Sequence, residues 1–178
     1  MSDQLKINSH SFRLVKGDIT DLEIESFVYY ARNDLLLGAG YGTAISVRGG
    51  PTVQEELKRF GMLQTTEAVV SSAGEMKANF IIHAVGPKFQ EEGQEGKLRS
   101  TILNCLKKAE EEGIKAIAFP AMGVGFYGVP VKTSAAITLK TISEYLSGDT
   151  RINDVVVCLL DMREYKPFHE EFMSISGV

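Results

Sequence analysis

Apolar positions along this chain follow two alternating rhythms. Residues 12–15, 27–30, 68–71, 80–85, 116–119 and 155–160 form short apolar runs, several of them near-continuous, as expected of strands covered on both faces. Between them the spacing turns helical. Leu98, Ile102, Cys105, Leu106 and Ala109 share one helix face, and Ala135, Leu139, Ile142 and Leu146 share another. Pro51 suits the first turn of a helix reaching Leu57 and Phe60, and Gly61 suits its left-handed end. Gly113 and Pro130 punctuate the later helices in the same way. Residues 90–96 have no apolar anchor and predict an exposed connection. Strands alternating with helices predict an α/β fold, a three-layer sandwich in which a mixed, mostly parallel sheet lies between helices. In such sheets ligands sit beyond the carboxyl ends of the strands, where loops lead into helix N-termini.

Composition narrows the classes. The chain has 178 residues, 44% of them hydrophobic, which is enough for one sizeable core and a single domain over residues 1–178. A formal net charge of −4 gives no broad attraction to duplex nucleic acid, so any phosphate must be bound locally, through backbone amides. Both cysteines sit inside apolar periodic segments, Cys105 in a helical pattern and Cys158 in a strand pattern, without metal or redox spacing. No metal ligand set or cofactor is expected. The first residues lack an apolar signal core and no apolar run could span a bilayer, so the expectation is a cytoplasmic protein with no membrane partner.

Three loops carry unusual chemistry: residues 17–20 after the first apolar run, 38–42 before a helix, and 123–128 after a strand. The third reads literally as G-x-G-x-x-G. A Rossmann fingerprint wants its last glycine inside the helix and further βαβ units afterwards; here Pro130 delays the helix and only about fifty residues remain. A nicotinamide-dependent dehydrogenase is therefore unsupported, as is a P-loop nucleotidase, whose G-x-x-x-x-G-K-[ST] is missing. The loop keeps the capacity to wrap phosphate oxygens, because glycines let the backbone approach closely and turn successive N–H groups inward. It also serves as a tight strand-to-helix turn needing positive φ. Two glycine-rich helix entries favour a ligand with two phosphates, or one pyrophosphate gripped from both sides.

At this point the sequence resembles the macro domain family. The likeness rests on residues 15–20 (Val-Lys-Gly-Asp-Ile-Thr), the glycine loop followed by Thr43, Ala44 and Ile45, residues 82–87 (Ile-His-Ala-Val-Gly-Pro), and residues 117–128 (Ile-Ala-Phe-Pro-Ala-Met-Gly-Val-Gly-Phe-Tyr-Gly). Arg48-Gly49-Gly50 and the stretch from Lys132 to Ala136 look like the domain attached to macro-type variant histones, a reader and not a hydrolase. The resemblance implies that ADP-ribose, free or protein-linked, is the ligand. It implies that Asp18 accepts from the adenine amino group with the Ile19 backbone beside it, and that Gly38, Ala39, Gly40 and Tyr41 lie along the distal ribose and pyrophosphate. It further implies that Gly123, Val124, Gly125, Phe126 and Tyr127 form the phosphate loop, with Phe126 over the distal ribose, and that Leu160 covers the adenine. On residue chemistry alone Asp18 could equally cap the following turn, Phe126 and Tyr127 could be ordinary packing, and His83, set among Ile81, Ile82 and Val85, reads as a core histidine before a catalyst.

The chain departs from the family at three places. An Asn-Ala-Ala-Asn-like stretch of the family's hydrolases is matched by Tyr29-Tyr30-Ala31-Arg32, with Asn33 one position late. The glycine-loop aspartate that activates water in many hydrolases is matched by Gly42, and an aromatic that stacks on adenine is matched by Leu160 before Asp161. No catalytic residue is therefore expected, and the sequence favours a reader of ADP-ribose, weakly catalytic at most. The alternatives are a hydrolase or phosphatase acting on ADP-ribosyl linkages, O-acetyl-ADP-ribose or ADP-ribose 1''-phosphate, and an interaction domain whose pocket has lost its ligand.

Overall fold

The computed structural model describes residues 3–177; Met1, Ser2 and Val178, the ends of the expected domain, lie outside the described residues. Seven strands make one sheet: β1 (Asp3–Ile7), β2 (His10–Lys16), β3 (Ser26–Tyr30), β4 (Ala68–Ser72), β5 (Phe80–Ala84), β6 (Ala116–Phe119) and β7 (Asp154–Leu159). Their spatial order is β1-β2-β7-β6-β3-β5-β4. β2, β7, β6, β3 and β5 pair in parallel, while β1 joins β2 and β4 joins β5 antiparallel at the two edges. The expected mixed, mostly parallel sheet is what the chain forms.

Five helices cover it: α1 (Tyr41–Gly49), α2 (Thr52–Leu57), α3 (Gln94–Glu111), α4 (Val131–Ser147) and α5 (Met162–Ser176). Alternate residues of each strand feed two cores. Val28, Ile82, Ile117, Phe119, Val155 and Val157 meet Leu98, Leu106, Leu139, Ile142, Phe168 and Phe172 of α3, α4 and α5. Phe27, Tyr29, Ile81, Ala118 and Val156 meet Ile45, Val53 and Leu57 of α1 and α2 on the other face. Both cysteines are buried in these cores, Cys105 in the larger and Cys158 in the smaller, and neither is in a disulfide.

Three details differ from the expected elements. β1 was not expected; its residues are only half-covered in alternation, so no apolar run marks it. The connection at residues 90–96 is shorter than its polarity suggests, because Gly93 takes a left-handed conformation (φ 70°, ψ 26°) and α3 begins at Gln94. Gly61 ends the 3-10 turn after α2 with positive φ but extended ψ (63°, −139°), outside the left-handed helical region.

His83 is fully buried on β5. Its Nε2 lies 2.8 Å from the Ser71 hydroxyl, its Nδ1 has no partner among the described residues, and its ring meets Tyr29 edge-on. This is a core histidine, as its apolar neighbours imply. Burial disfavours the imidazolium and pushes its pKa down to about 3 from 6.5. As pH falls below 6.5 the unfolded chain therefore takes up a proton that the folded chain refuses. Stability is complete above that pH and declines as pH drops toward 3. Urea midpoints measured from pH 6.5 down to about 5, above the carboxylate range, should decline, and the slope should flatten in His83→Asn.

Candidate functional site

The carboxyl ends of β2, β3, β6 and β7 face one cavity of about 350 Å³, a volume within the range of small-molecule sites. Phe27, Val28, Tyr29 and Tyr30 of β3 give it a largely apolar wall; Ile19, Ala39, Gly40, Tyr41, Gly123, Val124, Phe126 and Tyr127 come from the three loops singled out in the sequence. Pro120 and Ala121 after β6, Arg32 after β3 and Glu164 of α5 complete it. Asp18, Gly38 and Gly125 stand beside these residues in the chain and Leu160 four positions before Glu164, and none of the four lines the cavity.

Backbone donors dominate its polar chemistry. In the loop from Gly123 to Gly128, bonds run from Val124 N to Ala121 O, from Gly128 N to Gly125 O and from Val129 N to Gly123 O. The N–H groups of Gly123, Gly125, Phe126 and Tyr127 have no partner among the described residues. Positive φ at Gly123 (75°), Gly125 (88°) and Gly128 (78°) sets this arrangement, a region closed to most L side chains. The second glycine loop behaves alike: Gly40 (φ 62°, ψ −129°) begins α1 with no side-chain cap, and the N–H groups of Ala39, Gly40 and Tyr41 are unpaired among the described residues. Across the cavity, the Ile19 N–H is unpaired as well. Successive free N–H groups at a helix start form an anion cradle.

Asp18 has a structural task. Its Oδ1 accepts from the Thr20 N–H at 2.9 Å and the Thr20 hydroxyl at 2.7 Å, capping the 3-10 turn Ile19–Asp21. Its Oδ2 lies 3.5 Å from the Arg48 guanidinium, a long, half-exposed contact. Leu160 is 49% exposed and donates its N–H to Glu164 Oε1. Sequence reading missed Glu164, although the signal was present. Asp161 begins α5 and accepts from the Arg163 and Glu164 N–H groups, while Glu164 reaches back, a variant of the capping box written as Asp-x-x-Glu. Burial raises the Glu164 carboxyl above the ordinary glutamate value.

Phe126 is not core packing. It is 94% exposed, edge-on to Tyr127, whose ring lies 4.8 Å from that of Tyr30. Tyr30 in turn donates to the Pro87 carbonyl at 2.5 Å, and a Cβ on Gly86 would fall 2.3 Å from its ring, so that glycine in the residue 82–87 motif gives the tyrosine its space. Asn33 does not face the cavity. Its amide donates to the Leu63 carbonyl and its Oδ1 accepts from Lys88, so no register shift returns it to the position of the family asparagine. Arg32 lines the cavity rim and pairs with Asp34 at 2.8 Å. Among the described residues no group of three or more His, Cys, Asp and Glu could hold a metal, and no helix is long and apolar enough to cross a membrane.

Fold and site together define an α/β sandwich with a cavity bordered by two glycine loops at the carboxyl edge of its sheet. The macro domain model matches residues 30–138, and the chain belongs to the macro domain family. A macro domain-containing protein of Caldanaerobacter subterraneus is 38% identical over 90% of this chain and 94% of its own length. O-acetyl-ADP-ribose deacetylase 2 of Pantoea vagans is 34% identical over 85% of this chain and 92% of its own. Among solved structures, the Oceanobacillus iheyensis macrodomain with ADP superposes with a TM-score of 0.95 at 29% identity, covering 99% of this chain and 97% of that one. The Trypanosoma brucei macrodomain in complex with ADP-ribose gives 0.84 at 26% identity, covering 89% and 68%.

The Asp18 geometry generates a test that needs no ligand. Asp18→Ala removes a turn cap and should lower unfolding stability by about 0.5–2 kcal/mol. Asp18→Asn, which keeps an acceptor, should lose less in the same denaturant titration.

Proposed function

We propose that this chain binds ADP-ribose, free or attached to a modified protein, and that it acts as a reader with little or no hydrolytic activity. The observation that carries the reading is that two glycine loops with unpaired N–H groups border one cavity with apolar walls. A pyrophosphate held there meets fixed donors in a setting where water competes poorly. The unpaired Ile19 N–H and the second oxygen of Asp18, only loosely held by Arg48, suit an adenine edge at one end. The exposed Phe126 ring suits a sugar at the other. Gly38 supports α1 through its carbonyl, which accepts from Thr43 Oγ1, and Leu160 offers an aliphatic surface near the Asp18 end. The macrodomain structures solved with ADP and ADP-ribose support the same ligand class.

One observation favours a second reading: the Pantoea vagans relative is named a deacetylase of O-acetyl-ADP-ribose. The side chains here argue for slow chemistry at best. His83 is walled off behind Tyr29, Asn33 is tied to Leu63 and Lys88, and Gly42 offers no side chain. Glu164, the one carboxylate lining the cavity, interacts with Asp161 and Arg163 at the Asp18 end, away from Arg32 and Phe126. A positioned acid or base contributes about 10²–10⁴-fold, so without one hydrolysis sinks toward the background.

Calorimetric titration should rank ADP-ribose above ADP and AMP. Gly125→Glu should abolish binding: the added carboxylate would stand at the phosphate cradle, and because φ 88° strains any side chain there, Gly125→Ala, equally strained but uncharged, should lose less. Undiminished affinity in the folded variant would move the phosphate site elsewhere. In a time course on a glutamate-ADP-ribosylated protein, release should be slow or absent, and rapid release by the unaltered chain would overturn the reader assignment.

A further inference from the structure

Tyr29 and Gly42 occupy one another's space. Tyr29 ends on the α1 side of β3, its ring buried against His83 with centroids 6.0 Å apart at 85°. Its hydroxyl reaches the first turn of α1, where a Cβ built on Gly42 would fall 2.6 Å from it. That separation is shorter than non-bonded carbon–oxygen contacts allow, so a side chain at position 42 would force Tyr29 to shift, and the Leu37 backbone, 3.2 Å away, crowds the same point. The same tyrosine lines the cavity, and its hydroxyl has no hydrogen-bond partner among the described residues. Buried polar atoms are seldom left unmatched, and a phenol that borders an apolar-walled site while touching no protein acceptor is available to whatever enters that site.

Its neighbours locate it along the cavity. Tyr29 interacts with Arg32 and Tyr127, at the end where Phe126 stands exposed. Tyr41, a half-buried phenol of the site, interacts with Glu164, Asp18 and Asp161 at the opposite end. Burial raises the Tyr29 phenol to about 12, so the hydroxyl keeps its proton and remains a donor across the physiological range.

We propose that Tyr29 determines specificity at the Arg32 end of the cavity. Its hydroxyl donates to an oxygen of the distal ribose, and its bulk keeps residue 42 without a side chain where one could otherwise position water. This rests on the ADP-ribose reading above.

Two measurements test it. In titrations, Tyr29→Phe keeps the ring and its packing but removes the donor. ADP-ribose affinity should fall by about three- to tenfold, the effect of one neutral hydrogen bond, while ADP, which has no distal ribose, should bind as before. If unaltered protein binds ADP-ribose and Tyr29→Phe binds it equally well, or loses ADP in the same proportion, the specificity role is overturned and the ADP-ribose reading stands. If unaltered protein does not bind ADP-ribose, that reading fails and takes the specificity role with it. In thermal unfolding, Gly42→Ala should lower the midpoint of the unaltered chain and should lower it less in Tyr29→Phe. Equal losses in both backgrounds would overturn the interlock.

Discussion

The site depends on backbone N–H groups that the fold leaves unpaired. A sheet covered on both faces spends its own N–H and C=O groups on neighbouring strands, so unpaired donors collect where strands hand over to helices. Here that edge carries glycines with positive φ in loops that border the cavity, and among the described residues no side-chain hydrogen bond caps α1 or α4 at its start. Donors fixed by the backbone need no reorganisation when an anion arrives, and the apolar β3 wall strengthens each of them.

Much of this was legible in the sequence, for physical reasons. Strands buried on both faces must be near-continuously apolar, so the six inner and paired runs stood out, and glycine clusters stood out because few other residues adopt the required φ. The loops that line the cavity were therefore visible before the fold was. β1 was hidden because an edge strand of alternating half-exposed residues has no apolar run to display. Glu164 was hidden in plain sight, as a capping partner of Asp161 whose side chain also borders the cavity. The relation between Tyr29 and Gly42 could not be read at all, since it exists only when β3 and α1 are packed together. Asp18 shows a further limit: cap and ligand acceptor were alternatives on paper, and its two oxygens leave room for one carboxylate to serve both.

The same geometry separates binding from turnover. Position 42 is bare, His83 is held neutral behind Tyr29 and Asn33 is bonded to Leu63 and Lys88, so none of the three presents a basic side chain to the cavity. Donors suffice to hold a ligand; drawing a proton from water takes an acceptor of suitable basicity.

The most direct measurement is an amide proton–nitrogen correlation spectrum of the labelled protein during titration with ADP-ribose. The unpaired amides of Ile19, Ala39, Gly40, Tyr41, Gly123, Gly125, Phe126 and Tyr127 should show the largest shifts, with β1, β4 and the outer face of α3 almost unmoved. A saturable titration whose shifts lie elsewhere, with these amides silent, would contradict recognition by the main-chain cradle.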